Sequence, residues 1–276
     1  MQVSQLLSEA GDRARYELKT PVEIVEPQEF PEPEEMYVDA RKWMKIENVV
    51  AVVIDLKGST ALDYKGKHAN TSARLYEAVT GCGVKLANQF EPQFVDIQGD
   101  GFFALFHGER AYERALCAAV TLKTFSSRDL VPAIEETMSD RFPRTGLKVG
   151  LAASTLTVKR VGTRKTNEPV WAGKAVNWAT KCAQRADAHE LIATSKVFNR
   201  FAENDYVTHS CGCVDGEPRG SISYLWTETQ VEALGEGNVD CKLLKTAWCE
   251  NCGDEFCQAI LDGKTKRDEV VRLAAA

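Results

Sequence analysis

The sequence has no long apolar run. Its longest aliphatic stretch, Val49 to Ile54, spans about a third of the roughly 20 residues that a membrane-crossing helix needs. The first 30 residues carry charges throughout and lack the apolar segment of a secretory signal, which points to a cytoplasmic protein. Basic excess is missing too. Lys and Arg number 34 against 40 Asp and Glu, and the net charge of −6 argues against a nucleic-acid coat or a binder of anionic membranes. The scattered glycines, Gly81 and Gly83 among them, form no Walker-type phosphate loop. There are only four histidines, none beside a plausible nucleophile, so no Ser-His-Asp or Cys-His arrangement can be argued. No internal repeat is present. The nine cysteines are odd in number and accompany no secretory signal, which argues against a disulfide framework.

What remains is a composition of 44% hydrophobic and 27% charged residues, that of a globular chain able to bury a core. Its 276 residues fit one large domain, or one ordinary domain with extensions. Four prolines between Pro21 and Pro33 alternate with glutamates, which predicts an extended acidic connector rather than a helix or sheet. Before it, Ser4 to Lys19 has the apolar spacing of a short helix. These parts make an N-terminal extension over 1–46.

From 47 to 208 strands and helices alternate. Val49 to Ile54 reads as a central strand buried on both faces. Thr71 to Phe90 has helical spacing, Phe94 to Phe106 reads as a hairpin around Asp100-Gly101, and Arg110 to Phe125 as a second helix. Leu147 to Ala152 and Thr155 to Val161 read as two further strands, Lys174 to Arg185 as a third helix and Leu191 to Thr194 as a strand. The order predicts an α+β domain with an antiparallel or mixed sheet and helices on one face. Residues 209–276 form a cysteine-rich extension.

Asp55 ends the buried strand and leads into Lys57-Gly58-Ser59-Thr60, a turn whose free backbone N–H groups suit phosphate beside a carboxylate that suits a cation. Asp100 lies in the hairpin turn. Either alone is an ordinary turn residue. Two strands of one sheet, however, can bring both carboxylates to one edge, where they can bridge two divalent ions and hold a triphosphate.

These residues resemble class III nucleotidyl cyclases. Ile54-Asp55-Leu56-Lys57-Gly58-Ser59-Thr60 is similar to the first metal motif of that family and Ile97-Gln98-Gly99-Asp100-Gly101-Phe102-Phe103-Ala104 to the second. Val149 to Ser154 is similar to the following strand, Val161 to Lys165 to a hairpin, and Gly173-Lys174-Ala175-Val176-Asn177 to the start of the catalytic helix. The resemblance implies a ferredoxin-like, polymerase-palm core acting as a head-to-tail homodimer with shared sites. It implies two divalent cations, Mn²⁺ or Mg²⁺, held at Asp55, Leu56 and Asp100, with the triphosphate on Lys57, Gly58, Ser59 and Thr60. Asn177 matches the residue that orients the ribose. Lys181 stands where most members carry an arginine that stabilises α-phosphate charge, and shares the Asn177 face four residues on.

Two departures concern the base. Asp96 replaces the usual Lys or Glu, and Pro169 or Val170 the second purine reader, so neither purine contact is present. A short acceptor suits uracil N3–H or the cytosine amino group. With Val170-Trp171-Ala172-Gly173-Lys174, the pattern resembles the pyrimidine cyclases of bacterial Pycsar antiphage defence. That implies UTP, with CTP second, converted to a cyclic messenger for a separate effector. Competing readings are an adenylate or guanylate cyclase and a catalytically silent nucleotide-binding dimer. Gly253-Asp254-Glu255-Phe256 mimics a diguanylate-cyclase string, but too little chain follows to build that domain. Cys211-x-Cys213 and Cys249-x-x-Cys252 are spaced to give four thiolates to a structural zinc, with Cys241, Cys257 and His209 nearby.

Overall fold

The computed structural model describes residues 2–38, 40–59, 69–137, 144–163, 165–214, 217, 220–233 and 237–274. The elements in order are α1 (Val3–Lys19), β1 (Glu23–Val25), a 3₁₀ turn (Pro33–Glu35), β2 (Lys42–Leu56), α2 (Ala69–Tyr76) and α3 (Cys82–Asn88). There follow β3 (Phe94–Gln98), β4 (Gly101–Phe106), α4 (Ala111–Phe125), α5 (Val131–Thr137), β5 (Leu147–Thr163), β6 (Thr166–Gly173) and α6 (Lys174–Arg185). The chain closes with β7 (Glu190–Thr194), α7 (Ser195–Phe198), α8 (Asp205–Thr208), β8 (Trp226–Ala233), β9 (Gly237–Leu244), α9 (Gly253–Leu261) and α10 (Asp268–Ala274). No described helix is long and apolar enough to cross a membrane.

Two compact units share β2 and β5. One contains residues 1–47 and 156–172, the other residues 48–155 and 173–276. In the first, Glu23–Val25 pairs in parallel with Lys42–Met44, so part of the acidic connector is a sheet strand rather than a plain linker. The prolines flank those three residues at Pro21 and Pro27 and leave their N–H groups free to pair. Phe30 stacks on Trp171 at 5.4 Å, and Lys159 Nζ donates to the Ala40 carbonyl at 2.6 Å.

The second unit is built on a sheet of order β3-β4-β2-β5-β7-β9-β8. Pairing of β2 with β4, β3 with β4, β7 with β9 and β8 with β9 is antiparallel, and β5 with β7 is parallel. The β-branched run Val49 to Ile54 is buried throughout, because residues of both parities find cover. On one face Val52, Ile54, Phe102, Phe106, Val149, Leu151 and Leu191 join Val79 and Ala87 of the α2–α3 segment and Ala115 and Leu122 of α4. On the opposite face Ile192, Val231 and Cys241 meet Cys182 of α6 and Ala186 just beyond its end. Helices therefore cover both faces, not one. Gly150 explains how α6 fits: a Cβ there would lie 1.8 Å from the Ala179 carbonyl oxygen, so the missing side chain lets the helix backbone rest on the strand.

Three further expectations shift. The helix read over Thr71 to Phe90 begins at Ala69, ends at Asn88 and passes through a π-helical stretch, Glu77–Gly81. The strands read as Leu147 to Ala152 and Thr155 to Val161 are one 17-residue strand, since Ala153-Ser154 offers neither Gly nor Pro to break it. The region after 208 is not an appendage. Its β8–β9 hairpin lengthens the sheet, and Trp226, Leu244 and Ile260 enter the main core, each burial contributing about 1.5–3 kcal/mol.

Candidate active site

The β3–β4 hairpin and the end of β2 set the site. Gln98 pairs with Gly101 across a two-residue turn of Gly99 and Asp100, with Gly99 at φ 67° in the first central position. The turn is thus Gly99-Asp100, one residue before the Asp100-Gly101 step that the sequence suggests. Ile54 pairs with Phe102, and a Cβ on Gly101 would meet the Ile54 carbonyl oxygen at 2.3 Å and the Asp55 Cα at 3.4 Å. That close backbone approach leaves Asp100, the residue before Gly101, at the same end of the sheet as Asp55.

The two carboxylates differ in their surroundings. Asp100 Oδ2 is shielded from solvent and accepts no hydrogen bond among the described residues. Leaving a shielded carboxylate oxygen unpartnered costs about 1–3 kcal/mol or more, a cost that a cation would relieve. Asp55 is paired with the Lys148 ammonium from β5. Lys148 and Gly150 are two apart and so point to the same side of β5, the side on which α6 lies. Both oxygens sets are hard donors suited to Mg²⁺ or Mn²⁺. Where a divalent ion binds, Asp100 gains a partner and Asp55 exchanges one cation for another, so the residues present fit the metals that the motif implies.

Beside Asp55 lies a recess of about 110 Å³ lined by Val53, Gln98, Phe103, Thr180, Ala183 and Gln184 among others. Asp96 pairs with Phe103 and therefore shares its face of the sheet. Gln98 Nε2 donates to Asp96 Oδ2 at 3.1 Å. Asp96 is thus on the recess side of β3, two residues along the strand from Gln98.

The turn after β2 is pinned from several directions. The Lys57 N–H donates to Gly146 O at 3.0 Å, and Thr145 Oγ1 donates to Lys57 O at 2.8 Å. The Lys57 ammonium pairs with Asp187, and this donation, aided by the Ala188 N–H, holds the Asp187 carboxyl below the usual carboxylate range. Gly58 takes φ 74°. Leu56 is buried. Thr60 lies outside the described residues.

On α6, Asn177 is exposed, while Lys181 Nζ donates to Glu232 O at 3.4 Å. The helix presents Thr180, Ala183 and Gln184, and neither Asn177 nor Lys181, to the recess of Asp55 in its own chain. Pro169 and Val170 belong to β6 in the other unit, Val170 being exposed. Sequence reasoning missed Lys148 and Asp187. Lys148 sits at a position where the alternation of β5 breaks an otherwise buried strand, and that break is the signal that would have found it.

No family model matches the chain. It is 42% identical to a uridylate cyclase of Micromonospora echinofusca over 269 residues, 96% of this chain and 86% of that protein. To a uridylate cyclase of Propioniciclava tarda it is 46% identical over 229 residues, 82% of this chain and 72% of that one. The chain belongs to the uridylate cyclase family of class III nucleotidyl cyclases. Solved cyclase structures share its fold. The adenylyl cyclase CyaB from P. aeruginosa superimposes with a TM-score of 0.60 at 13% identity, covering 74% of this chain and 96% of that one. The guanylate cyclase domain of RhGC from Catenaria anguillulae, in complex with GTP, gives 0.54 at 13% identity, covering 74% and 98%. At that identity the likeness establishes the fold of this cyclase and nothing of its substrate.

Proposed function

We propose that the chain converts UTP to 3′,5′-cyclic UMP and pyrophosphate as a cytoplasmic homodimer with shared sites, and that the product is a messenger for a separate effector in antiviral defence. The reading is supported by 42–46% identity to proteins named uridylate cyclase together with Asp55 at the end of β2 and Asp100 in the turn of the neighbouring β3–β4 hairpin. The ions, when bound, lower the pKa of the attacking 3′-hydroxyl and neutralise the triphosphate. Asp55 and Asp100 hold them. The Gly58–Ser59 turn presents backbone N–H groups to phosphate, and Lys57 releases Asp187 to add its charge. Asn177 orients the ribose and Lys181 meets charge at the α-phosphate. The exposure of Asn177 favours its delivery to a second copy's carboxylates, since the recess of Asp55 in its own chain is faced by other residues of α6.

Asp96 accepts from uracil N3–H, a contact that a purine lacking a donor there would leave unmade. Cytidine triphosphate ranks second. Incubation with Mn²⁺ and equal concentrations of UTP, CTP, ATP and GTP, with products identified by mass, tests the reading. Cyclic UMP is the expected main product. A predominance of cyclic AMP or cyclic GMP overturns the base assignment, and no cyclic product from any of the four would favour the silent nucleotide-binding dimer.

A further inference from the structure

The cysteines of the last quarter separate into two groups in the structure. Cys241 is buried against Cys182, and Cys257 faces Cys117. His209 packs against Tyr224 and contacts the Thr208 hydroxyl. Those three are engaged elsewhere. Cys211, Cys213, Cys249 and Cys252 remain, and their four sulfurs lie within 4.8 Å of one another, with Cys213 and Cys252 at 3.5 Å. A tetrahedral zinc with Zn–S bonds of about 2.3 Å sets sulfurs about 3.8 Å apart, so the cluster needs only small adjustments to close on an ion.

We propose that Cys211, Cys213, Cys249 and Cys252 bind a structural zinc ion that fastens the 211–213 loop to the start of α9. The backbone is arranged for it. Gly212 turns the chain at φ 75° between the first two cysteines, and its carbonyl accepts from the Gly220 N–H at 2.7 Å. On the other side Cys252 caps α9, and Gly253 N–H donates to Cys249 O at 2.8 Å, closing the turn that brings the second pair together. The start of α9 also offers its dipole to a centre carrying net negative charge.

The 211–214 loop is closed by backbone bonds, from Gly220 N–H to Gly212 O and both ways between Val214 and Glu217, rather than by apolar packing. Cys211 to Val214 contributes no residue to the core clusters, whereas Trp248 is held by Thr124 and Thr121 through two 3.0 Å hydrogen bonds from its backbone N–H and indole N–H. A metal crosslink from the 249–252 turn therefore ties a loop with no share in those core clusters to one anchored on α4. Four thiolates fill the coordination sphere, which makes the site structural and leaves no open position for substrate chemistry. The four side chains are partly exposed at the wall of a cavity of about 470 Å³, so a chelator can reach them.

The test is elemental analysis of the full chain purified without chelator, joined to X-ray absorption at the metal edge. About one zinc per chain with four sulfur neighbours near 2.3 Å is expected. Cys249→Ser should lower zinc content at least about tenfold and speed proteolytic cleavage around 211–214, and zinc removal from the wild-type chain by chelator should do the same, a control that does not depend on the variant folding. A chain without zinc whose four thiols all react freely overturns the proposal. So does an intact mass about 2 Da lower without metal, which would mean a disulfide, or iron as the bound metal. None of these readouts requires cyclase activity, so this site and the substrate assignment fail separately.

Discussion

At the scale of the residue, the informative carboxylate is Asp100, which surrenders hydration for Oδ2 and receives no hydrogen bond among the described residues. A side chain chosen for stability would not be left so, and the arrangement is explained if its partner is an ion. Replacing it with asparagine keeps the shape and removes the charge. Asp100→Asn should therefore leave thermal stability unchanged or raise it by up to about 1 kcal/mol, because a neutral amide is cheaper to shield than a carboxylate. Cyclase turnover should fall by about 10³-fold or more, the loss of several kcal/mol of charge stabilisation in the transition state. Thermal melts and single-substrate assays with Mn²⁺ check both halves. A variant that melts much lower would mean that Asp100 supports the hairpin rather than the chemistry.

At the scale of the element, the site depends on how closely α6 and the β3–β4 hairpin can approach their neighbours, and glycine sets both distances. Gly150→Ala puts a methyl group 1.8 Å from the Ala179 carbonyl oxygen and 2.6 Å from the Ala183 N–H nitrogen, atoms of helix backbone that cannot rotate away. The helix must shift, at a cost of about 1–3 kcal/mol. Since α6 carries Asn177 and Lys181, turnover should fall together with melting temperature, and an unchanged melt would contradict the packing described.

Much of this layer was legible in the sequence: the β-branched run of β2, the hairpin and α6 follow from local periodicity and turn chemistry. The unbroken β5 was not, because alternation changes along it as its environment changes. Helices on both faces were not legible either, since Gly150 reveals its role only once Ala179 is opposite it. The β8–β9 hairpin escaped for a related reason. Glu228, Gln230, Glu232, Asn238 and Asp240 make it look like surface, although Trp226 and Leu244 at its base enter the main core and Val231 and Cys241 pack on the opposite face toward α6. At the site, Asp55, Asp100 and Asn177 stood out through their motifs, while Lys148 and Asp187 gain meaning only from pairing across 93 and 130 residues.

At the scale of the whole molecule, the carboxylates and the α6 residues pose a problem that one chain does not solve. Asn177 is exposed, and the recess beside Asp55 is met by Thr180, Ala183 and Gln184 instead. Two copies related by a twofold axis would each lend Asn177 and Lys181 to the other's carboxylates, giving two equivalent sites from one isologous interface. The consequence can be counted. When inactive Asp100→Ala and inactive Asn177→Ala chains are mixed in equal amounts and exchange freely, half of the dimers are mixed. In each, one site inherits both lesions and the other neither. About a quarter of the sites are then intact, and about a quarter of wild-type cyclase activity should return, rising with the time allowed for exchange. If each site were built from one chain, every site in a mixed dimer would carry one lesion and no activity would return. Affinity capture through a tag on one variant, probing for the other, establishes that mixing occurred. Mixed dimers without activity would refute the shared site and require Asn177 to reach the carboxylates of its own chain.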